Sequence, residues 1–166
     1  MYEIGELVVY GFQGVCKVDK IGTSDVPGLP KDKLYYTLTP LYGSGTISIP
    51  VDTKNFMRPV ISKKEADEVI MQISQTEPEI YEDSNYKVIE QKYKNKLASH
   101  DCRDLMYVIK SVKKKGRLAA MNGKNLGHTD EKYMKMAENL LDGEFAIALD
   151  IDRSEVPGYI QKKLQQ

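Results

Sequence analysis

The sequence predicts an α+β protein in which a Tudor- or SH3-like small β-barrel precedes an antiparallel helical bundle. Residues 1–60 place β-branched and aromatic residues in short bursts that glycine and proline separate, a pattern typical of short, bent strands. From residue 61 the apolar residues recur every three or four positions, as they do on one face of a helix. We therefore place the domain boundary after residue 60, between domains of residues 1–60 and 61–166.

The first domain holds five predicted strands. Two lie within residues 2–21, where glycine recurs too often for a helix. The others are expected at residues 34–39, at residues 46–49 and near residues 56–58. Five short strands in about 60 residues are typical of a small barrel.

The second domain begins with a capping box. Ser62 at the N-cap and Glu65 three residues later can each accept a hydrogen bond from the other's backbone N–H, so a helix starts here. A second helix is expected at about residues 84–98 and is rich in lysine. Its apolar positions form one narrow stripe of Tyr86, Ile89, Tyr93 and Leu97.

The third helix has Asp101 as its predicted N-cap. It could stop at Gly116 or continue to Asn122. We favour continuation, because residues 118–121 are strong helix formers.

Two more helices complete the predicted bundle. Thr129 is expected to cap a fourth helix of about residues 130–149. A shorter fifth helix is expected at about residues 155–164, although Pro157-Gly158 interrupts its pattern. Closely spaced amphipathic helices of this kind pack as an antiparallel bundle.

Charge is balanced overall, with 24 basic and 24 acidic residues, but it is unevenly distributed. Residues 61–86 carry two basic and seven acidic residues, whereas residues 87–117 carry ten basic and three acidic residues. A basic block of this kind is typical of a surface that binds phosphate, and equally of a solvated helix face.

Cysteine use and hydropathy indicate a cytoplasmic protein. Cys16 and Cys102 are far apart in the sequence, which argues against a disulfide framework. No N-terminal apolar run is long enough for a signal peptide, and no run of about 20 apolar residues could cross a bilayer. We expect no membrane association.

The sequence points to binding and away from catalysis. It holds no Walker motif, GxGxxG, HExxH or GxSxG. His100 and Cys102 form an isolated pair, which supplies too few ligands to close a metal site. We expect no catalytic residue, cofactor, metal or small-molecule substrate.

Two features favour particular kinds of binding. The strand pair at residues 34–39 and 46–49 could present an exposed edge, which is either protected or used to add a partner's strand. Tyr86, next to Lys87, could wedge into a DNA minor groove, or it could be the first core residue of its stripe.

Four short motifs carry a family resemblance. They are IGELVVY at 4–10 followed by Gly14-Val15, IPVD at 49–52 with RPVIS at 58–62, LASHD at 97–101, and GEFAIA at 143–148. In this order and spacing they resemble the CarD/CdnL family of bacterial transcription regulators. Members pair a Tudor-like domain that binds RNA polymerase with a helical domain that binds DNA.

The resemblance implies a role for each domain. The β domain would dock on the RNA polymerase β subunit by adding one strand edge to another, and the helical domain would contact promoter DNA beside the transcription bubble. This would stabilise the open complex. The implied polymerase-binding residues are Tyr35, Tyr36, Thr37, Thr46, Ile47, Ser48 and Ile49. The implied DNA-binding residues are Tyr86, Lys87, Lys94, Lys110, Lys113, Lys114, Lys115 and Arg117.

The chain departs from the family at three places. Tyr86 stands where the family has a Trp wedge, so wedging should be weaker or different. Ser48 replaces a basic residue that some members have, and the segment 116–127 is expected to form a longer loop. Two alternatives stay open: a Tudor-like adaptor that binds polymerase or another protein without touching DNA, and an RNA- or ribosome-associated barrel. The balanced charge of the β domain argues against the second.

Overall fold

The computed structural model describes residues 1–165. The chain divides into two compact units, Met1–Val60 and Ile61–Gln166. The first contains an antiparallel five-stranded sheet and the second contains five helices, which confirms the predicted α+β class. Among residues 1–165, no helix is both long enough and apolar enough to cross a membrane.

The sheet of the first unit is built from five short strands. In chain order they are β1 (Leu7–Tyr10), β2 (Gly14–Gly22), β3 (Tyr35–Pro40), β4 (Ile47–Pro50) and β5 (Met57–Pro59). Their order in the sheet is β4-β3-β2-β1-β5, with antiparallel neighbours throughout. Gly11 and Gly14 flank the turn between β1 and β2 at φ values of 47° and 75°, which residues with a side chain rarely adopt.

A small core lies under this sheet. Its buried members are Val8, Cys16, Val18, Tyr36, Leu38 and Ile49. The side chains come from four different strands, so the core forms only when the long-range pairing is complete. Burial raises the pKa of the Cys16 thiol to about 11, which keeps the thiol protonated and unreactive.

The second unit is a five-helix bundle. Its helices are α1 (Lys63–Ser74), α2 (Tyr86–Leu97), α3 (Cys102–Met121), α4 (His128–Leu149) and α5 (Val156–Leu164). The predicted capping box of α1 is present: Ser62 N–H donates to the Glu65 carboxylate at 2.9 Å, and Glu65 N–H donates to the Ser62 hydroxyl at 3.1 Å. The predicted N-cap of α3 is also present, since the Asp101 carboxylate accepts the Arg103 N–H at 2.8 Å.

The structure settles how α3 ends. The helix runs through Gly116 to Met121, as favoured from the sequence. A Cβ atom at position 116 would lie only 3.2 Å from Leu126, so glycine here permits close packing and does not break the helix. The expectation of a loop from residue 116 to 127 is therefore wrong, because only residues 122–127 connect α3 to α4.

The start of α4 differs from the prediction, whereas the start of α5 shows how a helix accommodates Pro157. The prediction that Thr129 caps α4 is wrong: the N-cap is Gly127, and Thr129 lies inside the first turn. The start of α5 tolerates Pro157 because the proline sits in the first turn, where a backbone N–H would have no partner in the helix.

Candidate functional site

The edges of the sheet are β4 and β5. β3 pairs with β2 on one side and with β4 on the other. The expectation that the segment 34–39 belongs to an exposed edge is therefore wrong, because both sides of its backbone are already used. Of the strand pair singled out from the sequence, only β4 can add a partner's strand.

The backbone groups that β4 offers are few. The Val51 N–H donates to the Leu34 carbonyl at 3.0 Å just beyond the strand. Since hydrogen-bonded and non-bonded pairs alternate along antiparallel strands, Ser48 and Pro50 direct their backbone groups away from β3. Proline has no N–H, and the Pro50 C=O already accepts the Thr53 N–H at 3.0 Å, so the outer edge offers the N–H and C=O of Ser48.

The other edge has the same character. The Gly11 N–H donates to the Phe56 carbonyl at 3.0 Å, and the same alternation then turns Met57 and Pro59 outward on β5. Each edge of the sheet thus carries one outward residue with an N–H and one proline. Proline on an edge limits uncontrolled pairing with other chains.

The predicted polymerase-binding residues do not share one environment. Tyr35, Tyr36 and Ile49 are buried, at 4%, 2% and 6% exposure, so their side chains hold the fold. Thr46 and Ser48 are exposed, whereas Thr37 and Ile47 are half-buried. Ser48 lies opposite Thr37 in the register between β4 and β3. The accessible part of the predicted set is therefore centred on Ser48.

Tyr86 opens α2 and faces solvent. Its side chain is 59% exposed, whereas the remaining stripe residues Ile89, Tyr93 and Leu97 are buried. The interpretation of Tyr86 as the first core residue of the stripe is therefore wrong. The Asn85 carboxamide oxygen accepts the Lys87 N–H at 3.0 Å and caps the helix.

An exposed aromatic ring and a lysine thus share the first turn of α2. The Lys87 side chain is exposed and has no hydrogen bond or ion pair within residues 1–165. The N-terminus of a helix carries a partial positive charge, which adds to that of the lysine. Lys94, two turns further on, is also exposed and lies 3.4 Å from the Glu90 carboxylate.

Three of the predicted DNA-binding lysines on α3 instead bind the connector between α1 and α2. The Lys110 ammonium donates to the carbonyl oxygens of Ile73, Ser74 and Thr76, at 2.9, 3.3 and 2.5 Å. Two of these carbonyls belong to the last turn of α1 and the third lies just beyond it, and the Ile73 carbonyl also accepts the Thr76 N–H at 3.1 Å. Lys110 therefore acts as a C-terminal cap for α1.

The next two lysines fix the acidic part of the connector. Lys114 forms an ion pair with Glu77, and this interaction lowers the pKa of Glu77. Lys115 donates to the Tyr81 carbonyl at 2.6 Å and lies 3.0 Å from the Asp130 carboxylate. Much of the basic block therefore neutralises groups within the bundle, a role that residue spacing along α3 does not reveal.

Lys113 and Arg117 are the exposed basic residues of the predicted set on α3. Lys113 lines a cleft between the helices, where it faces acidic residues of α4. Arg117 lies close enough to Glu77 to help lower the pKa of that carboxyl group. The accessible basic surface of the predicted set is thus Lys87, Lys94, Lys113 and Arg117.

A buried network that the sequence reading missed lies under this surface. The Tyr93 hydroxyl donates to Asp130 at 2.6 Å, and the Tyr93 ring packs against the rings of Tyr81 and Tyr133 at centroid distances of 5.3 and 5.6 Å. Burial, together with the bond to Asp130, raises the pKa of Tyr93. The sequence shows a tyrosine at positions 81, 93 and 133, but it does not show that the fold brings the three rings into contact.

Comparison with known families bears on the β unit. Residues 2–61 match the model of the CarD-like/TRCF RID domain, a family of non-catalytic domains that interact with RNA polymerase. The match covers the complete five-stranded sheet and its core. The N-terminal unit is therefore a CarD-like/TRCF RID domain, a type of domain that interacts with RNA polymerase, and the match ends where the helical unit begins.

Proposed function

We propose that this protein docks on the β subunit of bacterial RNA polymerase and contacts promoter DNA in the cytoplasm, which stabilises the open complex. The β4 edge would add to a strand of the polymerase, and the first turn of α2 would reach the DNA. The observation that carries the proposal is the exposed pair Tyr86 and Lys87 at a helix N-terminus.

The β4 edge supports the docking half of the proposal. Its outward N–H and C=O at Ser48 allow one reciprocal pair of backbone hydrogen bonds, and Pro50 restricts pairing beyond it. An interface of so few backbone bonds needs additional side-chain contacts. We expect the exposed side chains of Thr46 and Ser48 to supply some of them.

The first turn of α2 supports the DNA half. The Lys87 N–H is already bonded to the Asn85 cap, but the positive end of the α2 dipole still attracts phosphate, and Lys87 adds a full positive charge there. Tyr86 presents an aromatic face that can stack on, or partly insert between, unstacked bases at the edge of a bubble. A duplex offers no such unstacked bases, so this contact favours melted promoter DNA.

Two weak contacts on one chain can act strongly together. Once the β unit is bound to polymerase, the helical unit is held near the promoter at a high effective concentration. Binding to free DNA can then be weak while the contact in the complex is strong. The alternative of an adaptor that binds polymerase without touching DNA does not explain why Tyr86 is exposed. We therefore favour the hypothesis that the helical unit binds DNA.

The salt dependence of DNA binding tests the phosphate contact. Affinity of the full chain for a promoter fragment with a premelted bubble is measured across a series of salt concentrations. We expect a negative slope, and Lys87→Ala should reduce that slope by about one unit, because one fewer counterion is released. Lys64→Ala removes an exposed lysine on α1 and should leave the slope unchanged. Equal slopes for the wild type and Lys87→Ala would contradict the proposed contact.

A further inference from the structure

A cleft of about 590 Å³ opens between α1, α3, α4 and α5 of the helical unit. Most of its lining is apolar and includes Ile73, Met106, Ile109, Leu141, Ile160 and Leu164. The volume falls within the roughly 300–1,000 Å³ that is usual for small-molecule sites. Neither the β4 edge nor the first turn of α2 lines this cleft.

Two carboxylates stand on one wall of the cleft without a partner. Glu138 and Asp142 are four residues apart on α4, so they lie on the same face of the helix and repel each other. Neither has a hydrogen bond or an ion pair with any residue in the described range 1–165. A pair of like charges beside an apolar surface destabilises the empty site.

The cations around this pair do not neutralise it. Lys110 also lines the cleft, but its three N–H groups are directed at the three carbonyls at the end of α1. Arg153 donates to the Asn139 carbonyl at 3.1 Å. Lys113 is exposed and makes no direct contact with either carboxylate.

The ionisation of Asp142 reflects this balance. Burial and the neighbouring Glu138 raise the pKa of Asp142 to about 6, although Arg153 and Lys113 act in the opposite direction. The repulsive and desolvation effects are therefore larger than the attraction of the two cations. A ligand that brought a positive charge to this wall would offset the repulsion between the two carboxylates and the desolvation of Asp142.

We propose that the cleft binds a small cationic amphiphile, a primary amine carried on an apolar chain or ring. The ammonium group would lie between Glu138 and Asp142, and the apolar part would cover the side chains of Ile109, Leu141 and Ile160. The ligand is bound and not transformed in this proposal. The Ser74 hydroxyl donates to the Met71 carbonyl at 2.6 Å and the Lys110 ammonium to three carbonyls, and residues 1–165 hold no metal cluster.

Three probes of one chain length separate the charge from the apolar contact. Binding of n-octylamine, 1-octanol and octanoate to the full chain is measured by calorimetry and by the shifts of methionine methyl signals, with Met106 as the reporter inside the cleft. We expect octylamine to bind about tenfold more tightly than octanol, which corresponds to about 1.4 kcal/mol, and octanoate to bind most weakly. Equal affinities for octylamine and octanol, or no shift of Met106 with octylamine, would overturn the proposal.

Charge-matched variants locate the effect. Glu138→Gln with Asp142→Asn should abolish the preference for octylamine while octanol binding persists. Glu82→Gln with Glu131→Gln removes the same number of charges from exposed positions outside the cleft and should retain the preference. Loss of the preference in both double variants would mean that net charge alone attracts the amine, and the site would be rejected.

A pH series repeats the test without any substitution. An alkylamine stays protonated below about pH 9, as a lysine side chain does. The groups that face Asp142 are Glu138, Lys113 and Arg153, and the two cations keep their charge throughout this range. Octylamine should therefore bind several-fold more weakly at pH 5 than at pH 8, because Asp142 gains a proton. An unchanged affinity would contradict the role of Asp142.

Discussion

The ammonium group of Lys115 lies 3.0 Å from a carboxylate oxygen of Asp130, and the two side chains are only 17% and 6% exposed. Asp130 also accepts the Tyr93 hydroxyl, and Lys115 also donates to the Tyr81 carbonyl. One ion pair thus ties α3 to α4, to α2 and to the connector that precedes α2. A lysine from the most basic stretch of the chain holds the bundle together.

Removal of Lys115 should destabilise the protein strongly. Lys115→Ala leaves the buried Asp130 carboxylate without its cation, which typically costs about 3–5 kcal/mol of unfolding free energy. Urea denaturation of the full chain, followed by far-UV circular dichroism, measures the loss. Lys87→Ala, which removes an exposed lysine, should change the same quantity by less than about 0.5 kcal/mol. Similar small losses for both variants would contradict the structural role of Lys115.

Lys110 and Lys113 make a matched pair one turn apart on α3. Lys110→Met removes three hydrogen bonds to carbonyls at the end of α1 and should lower the unfolding free energy by about 1–3 kcal/mol. Lys113→Met removes a side chain without such bonds and should have little effect. Hydrogen exchange at the last turn of α1 gives a local measurement, since that turn should open more often only in Lys110→Met.

These lysines show what the sequence could and could not predict. Hydrophobic spacing and capping residues are local, so the helices, the capping box at Ser62 and the course of α3 through Gly116 followed from the sequence. The partner of a lysine is not local. Lys110 and Lys115 contact groups more than thirty residues away, and no periodicity along α3 distinguishes them from Lys113.

The sheet shows the same limit of prediction for backbone pairing. Short strands were predictable from glycine, proline and β-branched residues, but the order of the strands depends on long-range pairing. The interior position of β3 therefore could not be deduced from residues 34–39 alone. Similarly, Tyr86 continues an apolar stripe in sequence but lies on the first turn of α2, where no neighbouring helix covers it.

Asp142 should make the stability depend on pH. Its pKa of about 6 in the folded protein exceeds the unfolded value of about 3.9, so its ionisation destabilises the fold above pH 6, and this cost vanishes as the pH falls towards 4. Asp142→Asn should therefore raise the unfolding free energy by about 1 kcal/mol at pH 7.5, after allowance for solvent screening. At pH 4 the two proteins should be equally stable. A gain that is the same at both pH values would contradict the assignment.

The β4 edge can be tested through its single outward N–H. Ser48→Pro removes that donor, and proline is tolerated on an edge strand, so the domain should stay folded while its affinity for polymerase falls about tenfold or more. Ser48→Ala keeps the N–H and should bind almost as the wild type does. Met57→Pro makes the equivalent change on the β5 edge and should not weaken binding. If Met57→Pro weakens binding and Ser48→Pro does not, polymerase uses the opposite edge.

The lifetime of the open promoter complex tests the central claim most directly. The full chain, RNA polymerase and a promoter are combined, and the decay of the open complex is followed after addition of a competitor. Tyr86→Ala with Lys87→Ala should bind polymerase normally but shorten the lifetime several-fold, to near that with polymerase alone, because it removes the exposed ring and charge at the start of α2. A lifetime equal to that with the wild type, at equal polymerase occupancy, would contradict the proposal that this turn contacts promoter DNA.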